Sequence, residues 1–298
     1  MKISSLKSTT IGYLLAGATT VTAVNTYFTS KFILNETTLF QFGFLWYGFG
    51  LLYNILFQVF TGKLSLYRLS IKQAGILFLF IFLETVSTTS FFYAIQLMAN
   101  PAMVSFIGNL TPALVTVLGI LLLKERFTRF ELIGVFMTIV GSFLVSFQWT
   151  LDFHHFFIKG SEYVYLTVLA VSINTIWVKK HIERIHPSLL STGRVVALLF
   201  FSILFLLFKH QSFIVNNHTI FLAAYGSFVG PFLGSLMSYY ALQYIPASRS
   251  ILIQSVKSFM ILLVAYFLLH LLPLSIQIAG GVLTVMGVII ITGKHKKI

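Results

Sequence analysis

The sequence predicts an all-α, polytopic membrane protein with ten transmembrane helices arranged as two inverted five-helix repeats. Three observations lead to this fold class: the composition, the spacing of apolar segments and an internal repeat. Of the 298 residues, 57% are hydrophobic and only 9% are charged, whereas soluble domains carry about 25% charged residues. The composition therefore excludes a water-soluble enzyme and favours a chain that crosses a lipid bilayer many times.

The charge and the residue types exclude several kinds of site. The net charge is +13, but the basic residues lie between apolar blocks rather than on one solvated face, so we expect no nucleic-acid partner. The chain has no cysteine, which excludes disulfides and cysteine nucleophiles. The histidines show no metal-ligand spacing, and no phosphate-binding or nucleophile motif is present. We therefore predict no catalytic residue, no metal and no cofactor.

The first helix is predicted to be retained rather than cleaved, because it follows Lys2 and Lys7 without a small-residue cleavage site. Nine further apolar segments follow it, each bounded by charged or turn-forming residues. Their lengths are close to the ~20 residues that cross a bilayer. The ten segments are 11–32, 38–61, 73–95, 101–123, 130–149, 162–179, 188–208, 219–243, 249–270 and 274–293.

The basic residues predict the orientation of these segments. With the N-terminus in the cytoplasm, 15 of the 20 Lys and Arg residues fall on the inner side, and only Lys31, Lys159 and Lys209 fall outside. The other two, Arg194 and Lys257, lie within segments. Because short cytoplasmic loops retain Lys and Arg, this asymmetry predicts that both termini are cytoplasmic.

Two short patterns recur at half the chain length. The sequence from Tyr93 to Gln96 returns as Tyr240 to Gln243, an offset of 147 residues, and the Gly134–Gly141 pattern returns as Gly280–Gly287. The repeat unit therefore contains five spans, which predicts domains at 1–150 and 151–298. An odd number of crossings makes the second repeat enter from the opposite side of the membrane. Inverted repeats of this kind are typical of alternating-access transporters, although duplication alone also builds a larger bundle.

The fourth and fifth segments carry a recognisable pattern. It comprises Asn109 to Leu114 (NLTPAL), Leu121 to Arg126 (LLLKER), Glu131 to Gly134 (ELIG) and Val140-Gly141. These stretches, with the two-times-five plan, resemble the drug/metabolite transporter superfamily of the EamA type. The resemblance implies a small-solute permease rather than an enzyme, usually an exporter in a bacterial cytoplasmic (inner) membrane.

Glu84 is the acidic residue predicted to lie deepest within a span. A charge at this depth costs at least ~3 kcal/mol, so we expect it to face a cavity or a partner. Ser87 and Thr88 share its helical face. The alternative is a protonated carboxyl that only joins helices.

Lys257 lies near the middle of the ninth segment, with Gln254 on the same face. It is about 12 Å from the nearer segment end, too far for its ammonium to reach the interface comfortably. Three roles remain open: pairing with Glu84, binding a substrate carboxylate or phosphate, or alternating between the two.

Uncharged polar residues complete the candidate substrate site. Asn25, Asn109, Asn174 and Trp177 lie at similar depth in the first, fourth and sixth segments, and each is as compatible with helix packing as with ligand binding. Two prolines are candidate conformational elements, Pro112 and Pro231. Pro231 interrupts a run of glycines that includes Gly230 and Gly234, which favours close helix packing or a moving kink.

The sequence thus predicts a secondary active transporter, an exporter of a small polar or zwitterionic metabolite such as an amino acid. A Glu and a Lys facing one cavity suit a ligand that carries an ammonium and a carboxylate. Glu84 is also a candidate for proton coupling. The alternatives are a membrane enzyme acting on a lipid-linked substrate and a non-transporting assembly subunit. The sequence leaves a monomer and a homodimer equally open.

Overall fold

The computed structural model describes residues 2–62, 69–97, 104, 107–145, 159–269 and 274–292. Within these residues the secondary structure is helical. The helices are α1 (Lys2–Glu36), α2 (Leu39–Phe60), α3 (Ile71–Leu97), α4 (Leu110–Leu123), α5 (Arg129–Val145), α6 (Ser161–His181), α7 (Pro187–Phe208), α8 (Asn217–Tyr244), α9 (Ala247–Gln254 continuing as Val256–Leu269) and α10 (Ser275–Thr292).

Seven helices in the described part of the chain are long and apolar enough to cross a membrane, namely α2, α3, α6, α7, α8, α9 and α10. Each of the ten predicted segments overlaps a described helix. Parts of the fourth and fifth segments, including 146–149, lie outside the described residues.

Polar residues at the helix starts define where several helices begin. Thr38 and Gln41 form a capping box at the start of α2, and the Asn216 side chain accepts a hydrogen bond from the Thr219 amide at the start of α8. Such caps satisfy backbone N–H groups that have no partner within the helix. These residues are therefore the local signals that end the loops.

α5 and α10 pack against each other in opposite directions. A Cβ atom built on Gly134 would lie 2.8 Å from the carbonyl oxygen of Gly287, and one built on Gly141 would lie 2.6 Å from that of Gly280. Residue numbers rise along one helix where they fall along the other, so the pair is antiparallel. The absent side chains allow the two backbones to touch.

α2 and α7 are also antiparallel. Gly43 contacts Ser202, Gly50 contacts Val195, and the Gln58 amide donates to the hydroxyl of Thr192. Packing along this pair buries Trp46 and the neighbouring part of the first half within the largest apolar core cluster. Helices from both halves of the sequence therefore share one core.

α8 packs closely against α1 and α2 at its glycines. Cβ atoms on Gly230 and Gly234 would lie 2.6 and 2.7 Å from the hydroxyl oxygens of Thr26 and Thr22, and Gly226 contacts Trp46. A larger side chain at these positions would push α1 away. The glycine run thus provides the close helix packing that its spacing predicts.

Candidate functional site

A cavity of about 360 Å³ lies between the helices of the two halves. Its walls come mainly from α1, α3, α6, α8 and α9 and from residues 104, 108, 109 and 111, with Trp46 from α2 and Arg194 from α7. On α6 the lining extends from Val164 to Val178, which is about 21 Å along the helix axis. A cavity of this size is in the range that holds a small metabolite.

Glu84 lies on the cavity wall at the centre of a polar cluster. Its Oε2 is 2.6 Å from the Nε of Arg194, and its Oε1 accepts hydrogen bonds from the Asn174 amide at 2.9 Å and the Tyr239 hydroxyl at 3.3 Å. The hydroxyl of Thr88 lies 3.4 Å from Oε2. Both carboxylate oxygens are therefore engaged by donors from four different helices.

Arg194 is the residue that sequence reasoning missed. Its guanidinium also donates to the hydroxyls of Ser235 and Thr88, and its side chain is 18% exposed against 15% for Glu84. The signal was available, because Arg194 was one of two basic residues placed within a span. The depth argument applied to Glu84 and Lys257 applies to it equally.

Lys257 differs from the Glu84 cluster. Its side chain lines the same cavity and keeps an exposed surface, and it makes no hydrogen bond or ion pair within the described part of the chain. Gln254 and Ser250 line the cavity on the same helix, one and two turns away, and are linked by a 3.4 Å hydrogen bond. The structure pairs Glu84 with Arg194 rather than with Lys257.

Several of the other predicted residues reach the cavity. Ser87, Thr88, Asn174 and Asn109 all line it. Asn109 is nearly buried, and its amide joins helices: it donates to the Ser142 carbonyl and accepts from the Ser258 hydroxyl at 3.0 Å.

Asn25 and Trp177 lie outside the lining of the cavity, which differs from the sequence prediction. The Asn25 amide donates to the hydroxyl of Tyr225 at 2.8 Å, and the Trp177 indole donates to the Ile76 carbonyl at 3.1 Å. Both side chains therefore join neighbouring helices. Their depth was predictable, but the direction of an uncharged side chain around a helix was not.

The middle of α8 has irregular backbone where it meets the cavity. Residues Phe228–Gly234 form a π-helical stretch that contains Pro231, and Gly230, Pro231 and Gly234 line the cavity. A proline cannot donate its backbone hydrogen bond, and a π-helical turn absorbs the mismatch. Short π-helical stretches of this kind are frequent at functional sites.

Pro112 lies in the first turn of α4, is buried and is outside the cavity lining. The helical path is interrupted at Asn109, three residues earlier. Proline lacks the N–H that would bond to the Gly108 carbonyl, and this missing hydrogen bond accounts for the interruption of the helix.

Charged residues connect neighbouring helices at one end of the bundle, where the chain passes from α8 to α9. The Glu125 carboxylate accepts hydrogen bonds from the amides of Ala247 and Ser248 at the start of α9. The Arg249 guanidinium pairs with Glu131, and the Lys179 ammonium donates to the Leu242 and Ile245 carbonyls at 2.6 and 2.9 Å. We call this group the α8–α9 latch: Glu125, Glu131, Lys179 and Arg249.

Comparison with known proteins identifies the family to which this chain belongs. The EamA-like transporter family matches the chain twice, over residues 10–147 and 158–293. A search of curated proteins finds no match. A crystal structure of another protein superposes with a TM-score of 0.75, covering 96% of this chain and 97% of that chain, at 16% sequence identity. That structural likeness shows a shared fold. Since the family match spans nearly the whole chain, this multi-pass membrane protein belongs to the EamA-like transporter family.

Proposed function

We propose that the protein is a secondary active transporter that moves a small polar metabolite out of the bacterial cytoplasm by alternating access. The observation that carries this proposal is a 360 Å³ cavity between the two halves, with charged groups on its wall. Charged side chains within a membrane-spanning bundle are costly and usually mark a substrate or ion pathway. The candidate substrate contacts are Lys257, Gln254, Ser87, Thr88, Asn109 and Asn174.

The proposal includes ten crossings in two inverted repeats, 1–150 and 151–298, with both termini in the cytoplasm. Support comes from the packing: α5 meets its repeat mate α10 antiparallel, and α2 meets its mate α7 antiparallel. When equivalent helices run in opposite directions, the two-fold axis that relates them is perpendicular to the helices. Such an axis lies in the plane of the membrane.

Two equivalent helix contacts between the halves also support inverted repeats. α3 packs closely on α6, and α8 packs closely on α1. Under the 147-residue offset, α3 corresponds to α8 and α6 to α1, so the two contacts are equivalent with the halves exchanged. Two equivalent interfaces around one cavity provide two equivalent openings, one on each side of the membrane.

In the proposed orientation the α8–α9 latch lies at the cytoplasmic end. Its hydrogen bonds and ion pair join the α4–α5 loop and α5 of the first half to α9 of the second. We therefore assign it as the inner gate, and opening towards the cytoplasm would require these contacts to separate. The irregular stretch of α8 around Pro231, flanked by Gly230 and Gly234, is the proposed moving element. Pro112, in the first turn of α4 and outside the cavity lining, is a second candidate conformational element.

Topology is tested first, using the absence of natural cysteines. Lys72 and His218 are exposed residues at the starts of the repeat mates α3 and α8. We expect Lys72→Cys to react with a membrane-impermeant maleimide only from the cytoplasmic side and His218→Cys only from the outside. Reaction of both from the same side would overturn the inverted arrangement.

Alternating access is tested with a cysteine in the cavity. Ser238 is a small, partly exposed lining residue. We expect Ser238→Cys to react with an impermeant reagent in both right-side-out and inside-out vesicles. Phe136→Cys, on a lipid-exposed face of α5, is the control and should react in neither. Reaction of Ser238→Cys from one side only would contradict the mechanism.

A substrate is identified separately: a metabolite that raises the melting temperature of the purified protein should also exchange across the membrane of proteoliposomes.

A further inference from the structure

The charges on the cavity wall do not balance. The charged lining residues, within the part of the chain that the structure describes, are Glu84, Arg194 and Lys257. Glu84 and Arg194 neutralise each other in a 2.6 Å contact. The remaining formal charge is the ammonium of Lys257, so the cavity carries a net charge of about +1 when Lys257 is protonated.

The acceptor capacity of Glu84 is already used. A substrate ammonium would have to compete with the Arg194 guanidinium at Oε2 and with the Asn174 amide and the Tyr239 hydroxyl at Oε1. Charge-assisted bonds of this kind are the strong ones in a protein interior. A cation therefore finds no free carboxylate on the described wall.

An anion, in contrast, finds a donor that has no partner among the residues the structure describes. The Lys257 ammonium has three N–H donors and makes no hydrogen bond or ion pair to a described residue. Gln254 and Ser250, on the same helix, offer an amide and a hydroxyl. A carboxylate bound here would neutralise the cavity charge and satisfy a charge that is otherwise expensive within a membrane protein.

The rest of the wall limits the ligand further. Apolar side chains of Phe91, Val168, Ile251 and Ile261 line the same cavity. They suit the hydrocarbon body of an organic acid and offer no further cation to a second negative charge. A single unpaired ammonium matches a monoanion better than a dianionic phosphate.

We infer that the cavity selects small organic monoanions, whose carboxylate binds Lys257 without a substrate ammonium being bound by Glu84. This inference rests on the proposed transport function and narrows its substrate class from polar or zwitterionic metabolites to monocarboxylates. It assigns Glu84 and Arg194 to positioning the helices around the site.

The test measures the sign of the cavity potential with a cysteine beside Lys257. Gln254→Cys is introduced into the natural cysteine-free chain. Its reaction rates are measured with two methanethiosulfonate reagents, an anionic ethylsulfonate and a cationic ethyltrimethylammonium. Each rate is divided by the rate of the same reagent with a free thiol in solution. We expect the anionic reagent to be favoured by roughly tenfold or more, because a nearby unit charge acts on the two reagents in opposite directions. In Gln254→Cys/Lys257→Gln the preference should disappear.

Protection by small ligands provides the second measurement. Butyrate and butylammonium have the same four-carbon body and opposite charge. We expect butyrate at high millimolar concentration to slow labelling of Gln254→Cys several-fold, and butylammonium to leave it unchanged. The Lys257→Gln variant should remove protection by butyrate.

The outcomes separate the two proposals. A corrected rate ratio near one, a preference for the cationic reagent, no protection by butyrate, or equal protection by butylammonium would each overturn the monoanion inference while leaving transport intact. Failure of both reagents to reach the cysteine would instead overturn the accessible cavity, and with it the proposed function.

Discussion

Two charged centres share one cavity and differ in how they are held. Glu84 on α3 is engaged by donors from four helices, including Arg194, whereas Lys257 on α9 has no partner among the described residues. A fully paired charge contributes to the architecture, because moving it breaks several contacts at once. An unpaired charge is available to a ligand. The difference indicates two roles: Glu84 joins helices, whereas the Lys257 ammonium remains accessible in the cavity.

The largest effect is expected from breaking the paired centre. Arg194→Met should lower the free energy of unfolding by roughly 3 kcal/mol or more, because it leaves the Glu84 carboxylate buried without its counter-ion. Thermal unfolding in detergent measures the loss. The double variant Arg194→Met/Glu84→Gln should recover most of it, since no charge is then left unpaired. If the double variant is as unstable as the single one, the pair is not the reason for the loss.

The unpaired centre should behave in the opposite way. Lys257→Gln is expected to reduce proteoliposome flux of an identified substrate by roughly tenfold or more, as expected for losing a charge-assisted hydrogen bond. Its melting temperature should stay close to that of the natural protein, because no hydrogen bond or ion pair to a described residue is lost. Lys257→Arg, which keeps the charge, is the matched control. Unchanged flux in Lys257→Gln would contradict the role of Lys257 in binding.

A third experiment sharpens the assignment of Glu84. From the sequence alone this residue was the candidate proton-coupling group, and the structure shows that its carboxylate is paired with Arg194. We expect Glu84→Gln to lose stability, and any response of flux to a pH gradient to be the same as in the natural protein. The measurement is radiolabel efflux with and without the gradient. Loss of the pH response in a folded Glu84→Gln protein would return the coupling role to Glu84.

The smallest effect is expected at Trp177, outside both centres. Trp177→Phe removes the 3.1 Å hydrogen bond to the Ile76 carbonyl, which should cost about 1 kcal/mol of stability. Flux should be unchanged because the side chain is not part of the cavity lining. A flux defect without a stability defect would place Trp177 in the substrate path after all.

The internal repeat shows how far sequence reasoning extends. Gly134, Gly141, Gly280 and Gly287 were recognised as a recurring pattern, and the structure places all four at the α5–α10 contact. The sequence pattern was used only as evidence of the repeat, and the structure shows that these small residues allow the two helices to approach closely. The spacing did not predict that the two copies would contact each other, since a face of small residues allows any other helix to approach closely.

The candidate site was only partly predictable. Glu84 and Lys257 were found because charge at that depth is costly, and both line the cavity. Arg194 was set aside although the same argument covered it. Asn25 and Trp177 were chosen by depth and proved to join helices, because an amide or an indole finds partners on any side of a helix.

From the sequence it followed that this chain crosses a membrane, that its two halves are related, and that two ionisable side chains, Glu84 and Lys257, lie deep within predicted spans. These conclusions depend on composition, spacing and the cost of burying charge, which are local quantities. Which charges neutralise each other, and which one has no partner among the described residues, became visible only in the folded bundle. Pairing depends on how distant helices are rotated towards each other, and the packing of the whole bundle sets that rotation.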